Sequence, residues 1–274
     1  MRGLNLKDKK AQITIFVIIG VALIVTIALI FLLTRDISPP PSPDDIVNPE
    51  EQPEESIEQC VELAAQETAD LLIKKGGYIT KGFFNVTFAY PKGYYRQGIY
   101  ENVPYMCYTS RYRTRCIPQE PVLMQHLKDE MMIYLEDKIE ECFDEFENEV
   151  ERKGYDISID NDYDWDLNLV PGKIKVDIER EVIITKSGDK RTFDEFNSVA
   201  TSKLYNFASI TQEIVSEEAR YCNSNYINMM KYNTWAKITK HVTQDNIRIY
   251  TIEDANTQQD FMFAVRGCVL PIPS

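Results

Sequence analysis

The chain has 274 residues, 44% hydrophobic and 27% charged, the composition of a folded protein rather than a disordered one. Its formal net charge is −13, a field that repels phosphate backbones and anionic lipid surfaces, so no nucleic-acid partner is expected. The charge is unevenly placed: Arg2, Lys7, Lys9 and Lys10 against Asp8 leave +3 ahead of an uncharged run from Ile13 to Leu33, and −16 after it. At about 1.5 Å per residue this run makes a helix of roughly 31 Å, matching a hydrocarbon core of about 30 Å. It is longer than the core of a secretory signal, and Leu32, Leu33 and Thr34 offer no small-x-small cleavage site. The expectation is a transmembrane helix over 13–33, partnered by the lipid bilayer. The basic stub 1–12 then stays in the cytoplasm and everything from residue 34 lies outside.

Lys9-Lys10-Ala11 followed by Gln12-Ile13-Thr14-Ile15-Phe16 resembles the class III signal sequence of archaeal pilins and archaellins. The resemblance implies processing between Ala11 and Gln12 with the helix left attached. It also implies an alternative role as a pilin-like filament subunit, a homo-oligomer. Phe16 stands where many archaeal pilins carry a glutamate, which favours an isolated anchor. The stretches "IEQCVELAAQETADLLIKKGGYI" and "DFMFAVRGC" resemble those of uncharacterised archaeal single-pass surface proteins, a group that implies no activity.

Residues 34–54, "TRDISPPPSPDDIVNPEEQPE", combine prolines and acids with too little apolar material to pack, the composition of an extended stalk. At about 3.1 Å per residue it would span up to ~60 Å. The remainder, 55–274, reads as one extracytoplasmic α+β domain. Ile57, Cys60, Val61, Ala64, Thr68, Leu71 and Leu72 recur at helical spacing before Gly76-Gly77. From Tyr78 to Ile117, aromatic and β-branched residues between glycines and prolines predict short strands and loops. A long amphipathic helix is expected from Pro121 to Gly154, with Leu127, Met131, Leu135, Ile139, Cys142, Phe146 and Val150 as its apolar stripe. Alternation through Ile157 to Thr185 predicts an antiparallel meander, a third helix starts near Leu204, and strands around 247–252 and 261–266 end the chain. Grouped helices and hairpins point to one mainly antiparallel sheet packed by long amphipathic helices.

All six cysteines lie beyond the apolar run, which favours disulfides in an oxidising exterior. Fifteen pairings are open to six cysteines. Cys107 with Cys116 is expected because eight intervening residues suit a loop at a hairpin tip. Cys60 with Cys142 is expected because both face inward on neighbouring helices, and Cys222 with Cys268 follows by exclusion.

No catalytic signature stands out, and neither a cofactor nor a metal is expected. His126 and His241 lie in no H-E-x-x-H or G-x-S-x-G context, and there is no Walker or dinucleotide glycine loop. An exported hydrolase using scattered carboxylates such as Glu140 and Glu141 is the enzymatic alternative. Asp160, Asp162, Asp164 and Asp166 alternate, yet Trp165 and Pro171 occupy the positions where an EF-hand needs glycine and glutamate, so a solvated turn is expected rather than a Ca²⁺ loop. The best interaction site is the stretch holding Tyr94, Tyr95, Arg96, Tyr100, Tyr105, Tyr108, Arg111, Tyr112, Arg113 and Arg115, because tyrosine and arginine are enriched at recognition surfaces. It would serve a protein or glycan partner outside the cell. Asn85-Val86-Thr87 makes Asn85 a candidate glycosylation acceptor. The function expected is a non-enzymatic, membrane-anchored surface protein.

Overall fold

The computed structural model describes residues 53–79, 85–89 and 99–270. The apolar run 13–33, the stalk up to residue 52, the Ala11–Gln12 junction, and Tyr94, Tyr95 and Arg96 lie outside the described residues. Among the described residues no helix is long and apolar enough to cross a membrane.

The first helix, α1 (Pro53–Lys74), begins two residues inside the segment assigned to the stalk. Proline needs no N–H partner in a first turn, Glu54 and Glu55 favour the positive helix start, and Lys74 the end. Ile57, Val61, Ala64, Ala65, Thr68, Ala69, Leu72 and Ile73 form its buried stripe. Gly77 N–H donates to Leu72 O at 2.8 Å with φ +95°, and Gly76 at φ +67° lies where a Cβ would fall 2.2 Å from Met262 O. Both the left-handed turn and the close approach therefore require glycine.

Strands β1 (Asn85–Ala89), β2 (Ile99–Tyr108) and β3 (Ile117–Pro118) follow, then the long helix α2 (Leu123–Arg152). It starts two residues after the expected Pro121, and its buried stripe includes Leu127, Met131, Leu135, Ile139, Cys142, Phe146 and Val150. Next come β4 (Asp156–Ile159), β5 (Asp164–Val170), β6 (Lys173–Lys186) and β7 (Asp189–Thr201), then α3 (Leu204–Tyr221) and α4 (Tyr226–Tyr232), and finally β8 (Ala236–Val242), β9 (Arg248–Asp254) and β10 (Asp260–Arg266).

The mixed α+β class holds, but the strands form two sheets rather than one. In the first the order is β1-β2-β10-β9-β8, with β3 also on β2. β10 runs antiparallel to β9 and parallel to β2. In the second sheet β4 and β5 lie against successive halves of β6, and β7 pairs along its other edge. A single sheet cannot form because α1 packs on β7 of one sheet and on β10 of the other, placing helical surface between them.

The principal core runs through α1, α2, α3 and both sheets. In β10 the residues Phe261 to Val265 are all buried, as expected of a central strand covered on both faces. Phe261, Phe263 and Val265 join the principal core, whereas Met262 and Ala264 join Phe88, Val103, Tyr105 and Ile249 in a second cluster on the opposite face.

β6 alternates buried and exposed residues along its length, with a bulge between Glu179 and Val182 that carries Arg180. Arg180 is only 7% exposed. Its Nε donates to Asp160 O at 2.7 Å and its Nη1 to Glu140 Oε2 at 3.0 Å, while the guanidinium sits 4.5 Å from the ring centres of both Phe143 and Tyr163. A buried charge is tolerated here because carbonyl, carboxylate and π-faces replace its water.

Candidate functional site

Six cysteines form three disulfides: Cys60–Cys142 joins α1 to α2, Cys107–Cys116 closes the loop after β2, and Cys222–Cys268 ties the end of α3 to the segment after β10. Their Cα atoms are 5.8, 5.3 and 5.9 Å apart, within the span that a disulfide accepts.

Two of these bridges meet at one place. Residues 109–116 are laced to the segment 266–269: Thr109 N–H donates to Arg266 O at 2.9 Å, Arg113 N–H to Val269 O at 2.8 Å, and Cys268 N–H to Thr114 O at 2.6 Å. Gly267 packs so closely on Cys116 that a Cβ there would stand 2.8 Å from the Cys116 nitrogen. Arg248 supports this junction from within, its Nη2 donating to Gly267 O at 2.7 Å and its Nε lying 3.1 Å from Glu218 Oε1 on α3. Glu218 is fully buried and also accepts a hydrogen bond from the Tyr250 hydroxyl at 2.5 Å, while its Oε2 has no hydrogen-bond partner among the described residues. Burial, reinforced by the Glu218 carboxylate, pushes the Tyr250 hydroxyl well above its ordinary range. An ionic chain from α3 through Arg248 thus fixes the backbone on which the disulfide loop rests.

The loop presents Arg111, Tyr112, Arg113 and Arg115 as exposed side chains, with Tyr112 at 52% exposure. Arg113 adopts a left-handed φ of 56°, a strained conformation for a residue with a Cβ that is held here by its bond to Val269. The Arg266 guanidinium lies 5.7 Å from the Tyr112 ring and 5.8 Å from the Tyr108 ring, and donates to Thr109 O. The expected cluster is therefore divided. Tyr105 is a correction, because at 7% exposure it belongs to the second apolar cluster, edge-on to Tyr108 at 5.0 Å, and not to a partner-facing surface. Burial pushes its phenol up to about 12. Tyr100 and Tyr108 are half-buried against the same cluster. Outward-pointing chemistry is concentrated in Arg111 to Arg115.

Beside the loop opens a cleft of about 510 Å³. One wall is Arg115, Pro118, Glu120 and Pro121, and the other is the face of α3 bearing Gln212, Val215, Ser216, Ala219 and Arg220. Glu120 is engaged, accepting from the Tyr78 hydroxyl at 2.8 Å and lying 3.8 Å from His126 Nδ1. Gln212 Nε2 donates to Pro121 O at 3.3 Å, joining the two walls. Gln212, Ser216 and Arg220 recur every fourth residue, which from sequence alone reads as an ordinary solvated helix face. No sequence signal places that row opposite Arg115.

The other candidates lie elsewhere. His126 is half-buried with Nε2 2.9 Å from Gly77 O and its ring 4.5 Å from that of Tyr78, and the His241 ring lies tilted 4.9 Å from that of Phe88, where burial lowers its pKa. The histidines thus sit on different elements. Glu140 pairs with Arg180 at 3.0 Å and Glu141 with Lys138 at 2.6 Å. Glu141 also lines a groove of about 430 Å³ between α1 and α2, floored by the Cys60–Cys142 bridge. Asp166 pairs with Lys128 at 2.7 Å, whose hydrogen bond lowers the Asp166 pKa, and Asp162 N–H turns back to Asp160 Oδ1 at 3.2 Å. Among the described residues no group of three or more His, Cys, Asp or Glu side chains is gathered for a metal. Asn85 opens the edge strand β1 and Thr87 of its sequon is exposed.

In comparison with known proteins, no family model, no curated protein and no solved structure matches this chain.

Proposed function

We propose that this is a membrane-anchored extracytoplasmic surface protein with a non-enzymatic binding role. The Ile13 to Leu33 run anchors it in the bilayer with a basic stub inside and an acidic, proline-rich stalk outside, and Ala11–Gln12 is the junction for processing of the class III-like leader. The domain captures a protein or glycan partner through Arg111, Tyr112, Arg113 and Arg115. The observation that carries this reading is the fixed arginine- and tyrosine-bearing loop, closed by Cys107–Cys116, on a chain whose net charge is −13. Three disulfides support an oxidising location for the domain. Arginine and tyrosine are suited to recognition because each offers large contact area and directional donors.

Two measurements test it. Protease treatment of intact cells should release the domain, and its full protection would reverse the assigned orientation. Replacing Arg111, Arg113 and Arg115 together with alanine should abolish partner capture while the three disulfides still map correctly; undiminished capture would remove the loop from the function. A filament subunit would instead yield mature protein beginning at Gln12 in long assemblies.

A further inference from the structure

We propose that the cleft between the disulfide loop and α3 binds the carboxylate-bearing sugar of an acidic glycan, with Arg115 and Arg220 gripping the carboxylate and Ser216 and Gln212 reading the hydroxyls. This rests on the partner-binding reading above and names the ligand class and the place where it is held.

Charge sets the sign of the ligand. The cleft carries Arg115 and Arg220 on opposite walls, and its one acid, Glu120, is already engaged by Tyr78 and approached by His126. A guanidinium fork matches the planar geometry of a carboxylate and can hold it through paired hydrogen bonds. Two such forks line one cleft from separate elements, in a chain that is otherwise strongly acidic.

Size and the neutral groups set the class. A volume of about 510 Å³ falls within the range of small-ligand sites, which accommodates one or two sugar rings. Gln212 spends its Nε2 on Pro121 O, leaving Oε1 as an acceptor, and the Ser216 hydroxyl can both donate and accept. Sugar hydroxyls complement both groups at once. An acidic peptide would meet the arginines but reach Ser216 and Gln212 only through its backbone amides, which makes it the competing ligand in the test. Pro118, Pro121, Val215 and Ala219 provide apolar contact for the C–H faces of a ring.

The site is also prepared before binding. Arg115 is adjacent to Cys116 in one bridge, and Arg220 is two residues from Cys222 in another. Gln212 to Pro121, Glu218 through Arg248 to Gly267, and Cys222–Cys268 hold the two walls in place at three levels. The backbone that carries both arginines is therefore fixed before the ligand arrives.

The test uses the full chain in detergent micelles at low salt, titrated with trigalacturonate, neutral galactotriose and a pentaglutamate peptide. Saturable binding of the uronate with no binding of the neutral sugar is expected. R115A and R220A should each weaken it by about tenfold or more, the usual effect of losing a hydrogen bond to a charged group. R115K/R220K keeps the charge without the fork and should also bind more weakly, with all three disulfides intact. K190A/R191A, two exposed cations near the start of β7, should stay within about twofold of the unmodified chain, because neither residue lines the cleft. No saturable uronate binding up to about millimolar concentration, unchanged affinity in R115A and R220A, or pentaglutamate binding as tightly as the uronate would each overturn the proposal. Failure of the loop reading appears separately, as undiminished partner capture by R111A/R113A, which leaves the cleft lining intact.

Discussion

Gly267→Ala is the sharpest probe of the junction that holds the binding loop. The φ of Gly267 is not in the left-handed region, so the effect is steric rather than a matter of backbone preference. The added methyl would stand 2.8 Å from Cys116 N, 2.9 Å from Cys116 Cβ and 3.0 Å from Cys116 Sγ. Ordinary carbon contacts lie at about 3.5 to 4.0 Å, so the two segments must separate by roughly 0.7 Å. Neither can move easily: Cys116 is bonded to Cys107, Cys268 to Cys222, and Gly267 O accepts from Arg248. Overpacking a well-packed site costs about 1 to 3 kcal/mol, and with both neighbours tethered the upper half of that range is expected. Urea unfolding with disulfides intact measures this loss, and amide chemical shifts should move in residues 109–116 and 266–269 but not in β6 or β7. Gly188→Ala is the control, since its site has no atoms within 4 Å and only the φ of +91° is penalised. A Gly267→Ala protein with an unchanged midpoint and unchanged loop shifts would refute the account of the junction as a rigid mount.

Four further outcomes are expected. Glu140→Gln should destabilise the domain by about 2 to 4 kcal/mol in urea unfolding, because it strands the buried Arg180 guanidinium without its counter-charge, while Arg180→Met costs less because the Glu140 carboxylate left behind is 42% exposed and can rehydrate; the reverse order would contradict the burial of the guanidinium. Tyr250→Phe leaves buried Glu218 without its hydroxyl donor and should cost about 1 to 3 kcal/mol, with refolded protein of unaltered stability as the refuting result. Burial works to raise the Asp254 pKa, but Lys203, the Asn256 N–H and the Thr257 hydroxyl together hold it below the ordinary value. Its stabilisation is therefore complete above pH ~4 and lost as pH falls through the lowered value, so Asp254→Asn should flatten acid unfolding in that window, and an identical acid profile would count against the assignment. Replacing Cys60 and Cys142 with serine opens a link across 82 residues and should cost about 4.5 kcal/mol by loop-closure entropy, against about 2.6 for Cys107 and Cys116. The reverse order would indicate native-state strain instead.

The helices were legible because each carries a stripe at 3.6-residue period that needs no partner to be seen: Ile57 to Ile73 in α1, Leu127 to Val150 in α2, and Phe207 to Val215 in α3. The β6 alternation was equally clear, whereas β7 was not, because its first half, Asp189 to Glu195, projects with little burial and reads as polar. Strand β8 and helix α4 were also missed, since β8 is an edge strand with Lys237, Lys240 and His241 interrupting its pattern, and α4 is too short to show a period.

The sequence by itself determined what local pattern controls: the α+β class and the three long helices, because each carries its burial stripe within one segment. Tertiary structure decided what depends on elements distant in the chain. Only packing divided the strands between two sheets, paired the six cysteines, turned Tyr105 inward, carried Arg248 from β9 to Gly267, and set Arg220 across a cleft from Arg115. These arrangements depend on which faces of separate elements come together, and a periodicity read along one element contains no information about the element that will cover it.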